Sequence, residues 1–223
     1  QRLFEAAAAH GVFAMEGMWT RCNPLVLQAR ELIDRGVIGD PRVLQTSFVV
    51  HFVAPDEHRI FNPALAGGAI LDLGVYPISF ADHVLGGLQD LRASAVLTDL
   101  GVDATTTVDA RGPAGELARL WCSMAAATAC PARVVGTAAR LEISGVFYAV
   151  DSRVRLVAPD DTVLDEFVAP VRDHGFRYEA AEVARALAEG RTQTWSMPWD
   201  ATRRVMAAMD ETRRQVGVVY PGE

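Results

Sequence analysis

The sequence predicts an α+β domain in which a mostly antiparallel, open sheet carries helices on one face. Helical segments lie at both ends of the 223-residue chain, and residues 90–168 form a run of short segments rich in Val, Ala and Thr between turn residues. Within that run, residues 117–124 alternate between two faces, as expected of a strand. Consecutive short strands without intervening helices favour antiparallel pairing over the alternating order of a parallel sheet.

Two short elements are predicted at the start of the chain. Residues 1–9 are rich in alanine and have high helix propensity, and Gly11 is a suitable terminator. The apolar run 12–15 is strand-like and ends at Glu16. Because the pattern changes there, residue 16 is the candidate domain boundary.

The rest of the chain outside the sheet run is predicted as one strand and four helices. The strand is rich in β-branched and aromatic residues, and the helices are bounded by caps such as Asn23-Pro24 and stops such as Gly36. The strand covers 42–52, and the helices cover 24–36, 70–85, 175–189 and 198–216.

Composition narrows the class of protein. A net charge of −7 argues against a nucleic-acid binder, which needs a basic face to neutralise phosphates. No uninterrupted apolar run reaches the roughly 18 residues that span a bilayer, so we expect a soluble, cytoplasmic protein without nucleic-acid or membrane partners. The three cysteines are too few and too scattered for a disulfide framework, and neither they nor the five histidines have the spacing of a metal site.

The stretch from Gly67 to Pro77, Gly-Gly-Ala-Ile-Leu-Asp-Leu-Gly-Val-Tyr-Pro, carries the candidate chemistry. Asp72 and Tyr76 stand four positions apart on a predicted helix and therefore lie on the same side, one turn apart. A phenol beside a carboxylate can exchange a proton with an alcohol or carbonyl oxygen, provided that a neighbouring cation lowers the pKa of the phenol. Spacing alone leaves open that Asp72 is an exposed helix residue and Tyr76 a core aromatic.

This stretch resembles the signature of the glucose–fructose oxidoreductase and inositol dehydrogenase family (Gfo/Idh/MocA), nearest to its dihydrodiol dehydrogenase and xylose dehydrogenase branch, where Tyr takes the place of His. The run Met-Glu-Gly-Met-Trp-Thr-Arg, residues 15–21, is similar to a second motif of that branch. Shorter matches at 38–43, 59–63 and 174–180 extend the resemblance over nearly the whole chain. One departure is Ala66, where family members commonly have a third glycine.

The resemblance implies the C-terminal part of a two-domain dehydrogenase. An N-terminal Rossmann domain would bind NAD or NADP, whereas residues 17–223 would form an α+β domain for substrate binding and dimerisation through the open sheet face. Residues 1–16 would be a remnant of the Rossmann domain, which is otherwise absent. The chain has no Gly-x-Gly-x-x-Gly turn and no lysine, and both features fit that expectation.

The resemblance also implies roles for individual residues. Tyr76 would be the acid/base that exchanges a proton with the substrate hydroxyl, and Asp72 would orient the substrate or the catalytic group. Trp19 and Arg21 would line the substrate and nicotinamide side of the cleft. Arg21 and Glu16 are the residues of this chain that we expect to contact the cofactor, and no metal is expected.

Weaker candidates for the pocket wall are Arg42, Phe48 and Phe176. Phe48 and Phe176 are equally suited to be core aromatics, and Arg42 to be a solvated residue at the start of a strand. His174 would either cap the following helix or line the pocket edge, and Arg59 is equally suited to be an ion-pair partner in its loop.

Two functions therefore remain as hypotheses. The first is an NAD(P)-dependent oxidoreductase of sugar, polyol or cyclic diol hydroxyls, in which the 223 residues alone are inactive. The second is a non-catalytic, self-associating or ligand-binding module that has the same fold.

Overall fold

The structure is a computed structural model, and it describes residues 2–149, 151–169 and 175–223. Eight strands of these residues form a single open sheet in the order β2-β3-β4-β1-β5-β6-β7-β8. The strands are β1 (Pro41–Val49), β2 (Gln89–Leu97), β3 (Asp103–Arg111), β4 (Leu117–Ser123), β5 (Ala132–Gly136), β6 (Arg140–Ser144), β7 (Arg153–Val157) and β8 (Val163–Val168). Neighbours pair antiparallel except β1 and β4, which are parallel at the centre. The predicted fold class is confirmed.

Five α-helices accompany the sheet within the described residues. They are α1 (Arg2–His10), α2 (Pro24–Asp34), α3 (Val75–Leu85), α4 (Phe176–Ala188) and α5 (Trp199–Val216). Apolar residues of α2, α3 and α5 join the buried face of the strands in one core. The helices therefore cover one face of the sheet and leave the other face open.

Alternation along β4 shows how the strands divide the two faces. Ala118, Leu120 and Cys122 are buried in the core, whereas Leu117 and Arg119 are exposed on the open face. The same alternation was expected from the sequence, because successive side chains of a strand point to opposite sides. Alternate residues of β4 therefore lie on the open face of the sheet.

The expectation of a strand over 12–15 is wrong. This segment lies against α5 and the loop before it, and its one backbone bond to that loop joins the amide of Ala14 to the carbonyl of Thr192. Helix α1 is held in the same place, because the ring of Phe4 stacks on Trp199 with centroids 5.4 Å apart. Strand conformation requires a pairing neighbour, and the described sheet provides none at this position.

One helical segment, Pro63–Leu85, is long and apolar enough by composition to cross a bilayer. Most of its apolar window is buried within the fold, where it contributes Ile70, Ile78 and Phe80 to the core. A core helix of an α+β domain has this composition because it packs on the sheet and on neighbouring helices at once.

Candidate active site

The helix that carries Asp72 and Tyr76 begins just after Gly67 and Gly68, two glycines that are in close contact with other parts of the chain. A Cβ on Gly67 would lie 2.6 Å from the carbonyl oxygen of Arg59 and 2.7 Å from that of Ile60. Gly68 has a φ of +112°, and a Cβ there would collide with a carboxylate oxygen of Asp103. The paired glycines are therefore required by close backbone approach and by a left-handed conformation.

The first turn of this helix is π-helical, from Ile70 to Gly74, and α3 continues it. Gly74 lies where a Cβ would be 2.6 Å from a side-chain carbon of Ile70 and 3.0 Å from the sulfur of Cys122 on β4. A wider π turn over a glycine lets the helix start lie directly on the sheet. Single π turns of this kind occur often at functional sites.

Tyr76 lies in a group of rings that we call the aromatic cluster, defined as Trp19, Phe48, Tyr76, Tyr148 and Phe176. From the ring of Tyr76, the centroid of Phe48 is 4.9 Å away, that of Tyr148 5.8 Å and that of Trp19 6.4 Å. Phe48 and Tyr148 stack at 4.2 Å, and Phe176 lies edge-on to Trp19 at 5.0 Å. The sequence-predicted residues Trp19, Phe48, Tyr76 and Phe176 are thus brought together.

Phe176 is 60% exposed, so it is not the core aromatic that the sequence left as an alternative. It forms the outer edge of the aromatic cluster, whereas Phe48 lies half-buried at its base against the core. The cluster therefore has one side turned to solvent and can accept the face of a ring-shaped molecule.

Tyr148 is the member of the cluster that sequence reasoning missed. It lies in a turn, where the amide of Ala149 bonds to the carbonyl of Val146, and its own carbonyl accepts a bond of 3.0 Å from the side-chain amide of Asn23. Burial, and then the nearby Cys130 and Tyr76, raise the pKa of the Tyr148 phenol. Asn23 also caps α2 at the amide of Leu25, so one side chain joins Tyr148 to the segment that carries Trp19.

Asp72 forms an ion pair with Arg59, in which Nη2 lies 2.5 Å from Oδ1. Arg59 is therefore an ion-pair partner, as one of the two alternatives proposed, and the residue that it pairs with is Asp72. The side chain of Asp72 is about one-fifth exposed and that of Arg59 about half exposed, so the pair lies at the surface of the site.

The structure gives Arg21 partners away from the aromatic cluster. Its guanidinium is buried and binds the hydroxyl of Ser79 at 2.8 Å and the carboxylate of Asp82 at 2.7 Å, and Arg204 binds the same carboxylate. Burial lowers the pKa of Arg21 and Asp82 opposes that effect. The prediction that Arg21 lines the cleft and contacts a cofactor receives no support from this placement.

Three further candidates lie apart from the cluster or outside the described residues. Arg42 is exposed, binds Asp40 at 3.0 Å, and precedes Phe48 by six positions of β1, which corresponds to about 20 Å. Glu16 is exposed and lies near Glu179, whose pKa is raised by burial and by Glu16. His174 lies outside the described residues.

The chain is similar in sequence to known dehydrogenases. The family model of the GFO/IDH/MocA C-terminal domain matches residues 26–142. The chain is 31% identical to trans-1,2-dihydrobenzene-1,2-diol dehydrogenase of Danio rerio, over 99% of this chain and 67% of that protein. It is also 31% identical to D-xylose 1-dehydrogenase (NADP(+)) of Hypocrea jecorina, over 99% of this chain and 64% of that one.

A solved structure has the same fold. The 3-ketoreductase KijD10 of Actinomadura kijaniata, in complex with NADP and TDP-benzene, superposes with a TM-score of 0.79 and 28% identity. The match covers 96% of this chain and 66% of that one. The chain thus spans about two thirds of the length of the relatives it matches.

Proposed function

The chain belongs to the Gfo/Idh/MocA family, and on this premise we propose that it is the substrate-binding part of an NAD(P)-dependent oxidoreductase acting on a hydroxyl of a sugar, polyol or cyclic diol. The observation that carries the proposal is the position of Tyr76, whose phenol lies in a half-open aromatic cluster one helical turn after Asp72. A bound nicotinamide would supply the hydride chemistry.

Tyr76 is the proton-exchanging group in this proposal. Its hydroxyl would donate a proton to a carbonyl oxygen in reduction, or accept one from a hydroxyl in oxidation, within hydrogen-bond reach of that oxygen. Oδ1 of Asp72 is bound by Arg59, so Oδ2 is the oxygen that we assign to a second substrate hydroxyl. Two polar contacts from one helix would fix which hydroxyl faces the phenol of Tyr76.

The aromatic cluster supports the proposed substrate class. Phe48, Tyr148 and Trp19 present ring faces and edges around Tyr76, and such surfaces pack against the C–H faces of sugar rings or against the ring of a cyclic diol. The relatives that match this chain are named for a dihydrobenzene diol and for D-xylose, one from each of these classes.

The cofactor would meet the site at its exposed rim. Trp19 and Phe176 present partly exposed rings there, and a flat nicotinamide ring fits such surfaces. We assign Glu16 and Trp19 to this contact. The rest of the dinucleotide would be bound by protein outside residues 17–223, and residues 1–16 would belong to that dinucleotide-binding domain. The 223 residues alone should then bind NAD or NADP too weakly to give a saturable calorimetric titration.

Self-association through the open sheet face is part of the proposal, and a row of side chains across that face supports it. In register from one edge to the other, the row reads Arg92, Asp109, Arg119, Gln45, Arg133, Glu142, Arg155 and Glu166. The face is therefore charged along its centre and is not apolar throughout. A depression of about 400 Å³ is lined by three members of the row, Gln45, Arg133 and Glu142, together with Trp121.

The order of charges in this row is self-complementary. A second copy turned by half a turn about an axis parallel to the strands meets the row in reverse, so that Arg119 faces Glu142 and Asp109 faces Arg155. A two-fold axis perpendicular to the strands would instead place each charge against itself. Charge pattern therefore favours one of the two symmetric arrangements.

The cytoplasm is the compartment that fits this protein, and the three cysteines, which are free and buried, are compatible with it. The proposed activity is tested by assaying the complete protein with NAD and NADP against trans-cyclic diols and aldoses, following the absorbance of the reduced nicotinamide. Turnover of at least one class is expected. Saturable binding of these compounds without any turnover would favour the non-catalytic module.

A further inference from the structure

Asp103, the first residue of β3, lies under the start of the helix that carries Asp72 and Tyr76. Its side chain is fully buried. Oδ2 accepts a hydrogen bond of 2.8 Å from the backbone amide of Ile70 and one of 2.6 Å from the hydroxyl of Thr106. A carboxylate from a distant strand therefore binds one of the amides that a helix start leaves without an intrahelical partner.

The position of Asp103 also explains the second glycine of the pair. Oδ1 of Asp103 fills the space that a Cβ of Gly68 would occupy, and this oxygen has no hydrogen-bond partner among the described residues. Gly68 passes over the carboxylate with a φ of +112°, and its amide binds the carbonyl of Ile60 at 2.7 Å. The turn and the carboxylate are thus fitted to each other.

A second side chain holds the same turn from the other side. The hydroxyl of Tyr220, close to the end of the chain, donates a bond of 2.6 Å to the carbonyl of Gly67. The guanidinium of Arg213 lies 4.8 Å from the centroid of the Tyr220 ring. The glycine turn is therefore fixed at both of its residues by side chains that lie far from it in sequence.

Burying a carboxylate in the core has an unfavourable desolvation free energy. Burial raises the pKa of Asp103 to about 6, and the groups around it are the Thr106 hydroxyl, the Cys122 thiol and the Tyr220 phenol, with the amide of Ile70. An apolar residue of similar shape would avoid the desolvation cost and the unpartnered oxygen. What it could not do is bind the amide of Ile70 and so fix where the helix begins.

We propose that Asp103 is a positioning residue of the active site, which holds the start of the Tyr76 helix in place through the amide of Ile70. The inference rests on the proposed function for the chemistry at Tyr76, whereas the contact itself does not depend on it. A displacement of about 1 Å at a reacting group can cost about a hundredfold in rate, and Asp72 and Tyr76 lie in the first two turns after this contact.

Three variants of the complete enzyme test the proposal. Asp103→Asn keeps an acceptor for the amide of Ile70, so turnover should stay within about threefold of the original. Asp103→Ala removes the acceptor and should lower kcat by about 10- to 100-fold, with unchanged cofactor affinity. Thr106→Val is the matched control, because it removes the other hydrogen bond of the same carboxylate oxygen and leaves the helix start bound; its kcat should remain within about threefold.

Hydrogen exchange at the amide of Ile70 supplies a readout that does not depend on turnover. This amide should be protected in the original protein, in Asp103→Asn and in Thr106→Val, and it should exchange at least about tenfold faster in Asp103→Ala. If Asp103→Ala does not fold, rapid exchange of Ile70 in the original protein overturns the proposal by itself. Equal loss of turnover in Thr106→Val and Asp103→Ala would also overturn it, whereas absence of any dehydrogenase activity would refute the proposed function and leave the exchange result to decide on Asp103.

Discussion

The rings of Phe48 and Tyr148 stack with their centroids 4.2 Å apart and their planes inclined by 30°. Phe48 comes from β1, and Tyr148 from a turn that follows β6. The two rings together form the wall beside Tyr76. Because this wall combines distant segments of the chain, it exists only in the folded domain. Its proposed contribution to substrate binding can be tested separately from the proposed proton exchange at Tyr76.

Substitution of Tyr148 tests the wall. Tyr148→Phe keeps the ring and should leave KM within about twofold, whereas Tyr148→Ala should raise KM about tenfold or more and change kcat less, since it removes ground-state packing. Steady-state kinetics of the complete enzyme with a cyclic substrate measure both. An equal effect of the two substitutions on KM would assign the role to the hydroxyl and contradict the packing account.

Removal of Asp82 should lower the free energy of unfolding by more than removal of an exposed ion pair does. Asp82→Ala leaves the guanidinium of Arg21 buried without its anion, and we expect a loss of about 3 to 5 kcal/mol in the free energy of unfolding. Arg204→Met is the control, because Arg204 binds the same carboxylate but is 45% exposed, and its loss should be about 1 kcal/mol or less. Urea denaturation measures both, and similar losses in the two variants would refute the assignment.

Asp103 should make stability depend on pH in a particular direction. Its pKa is about 6 in the fold, above the value near 3.9 in an unfolded chain, so the folded state binds the proton more tightly. The cost of ionising it is therefore absent below about pH 4, grows as pH rises from 4 to 6, and is complete above 6. It amounts to about 3 kcal/mol at most.

Asp103→Asn should accordingly gain stability relative to the original protein above pH 6 and lose that advantage below pH 4. His83, whose pKa burial lowers to about 3, has the opposite dependence in an overlapping range, because its folded state rejects the proton. It is present in both proteins, so the difference in unfolding free energy between them isolates Asp103. A difference that does not vary with pH would contradict the assignment.

The charge row on the open sheet face predicts how self-association responds to substitution. Arg119→Glu places an anion opposite Glu142 of a second copy and should weaken the dimer at least about tenfold. Arg42→Glu is the control, since Arg42 is also exposed but lies outside the row. Sedimentation equilibrium should show the first effect and not the second, and equal dimer affinity in both variants would argue against this face.

Much of the fold could be predicted because its signals are local. Helix α2 begins at an Asn-Pro cap whose side chain bonds the amide of Leu25, and the alternation of Ala118 and Arg119 sorts the faces of β4. The prediction of a strand over 12–15 was wrong because strand formation depends on a pairing neighbour. A local sequence pattern does not show whether such a neighbour is present. Apolar runs that lie against helices have the same composition.

The site was predictable only in part, for the same reason. The motif around Asp72 and Tyr76, together with Trp19, pointed to the helix and to one wall of the aromatic cluster. Tyr148 and Asp103 were missed because their contacts are with residues far away in sequence. Asp103 at the start of a strand is the one signal that was available, since a carboxylate in an otherwise Val-, Ala- and Thr-rich run requires a partner when it is buried.

Replacing Tyr76 with Phe in the complete protein tests directly whether the Tyr76 hydroxyl exchanges the proton. The ring and its packing against Phe48 remain, and only the hydroxyl that would exchange the proton is lost. We expect kcat to fall by about 10² to 10⁴, with cofactor affinity nearly unchanged in a parallel calorimetric titration. A variant that retains the turnover of the original enzyme would remove Tyr76 from the reaction and contradict the account.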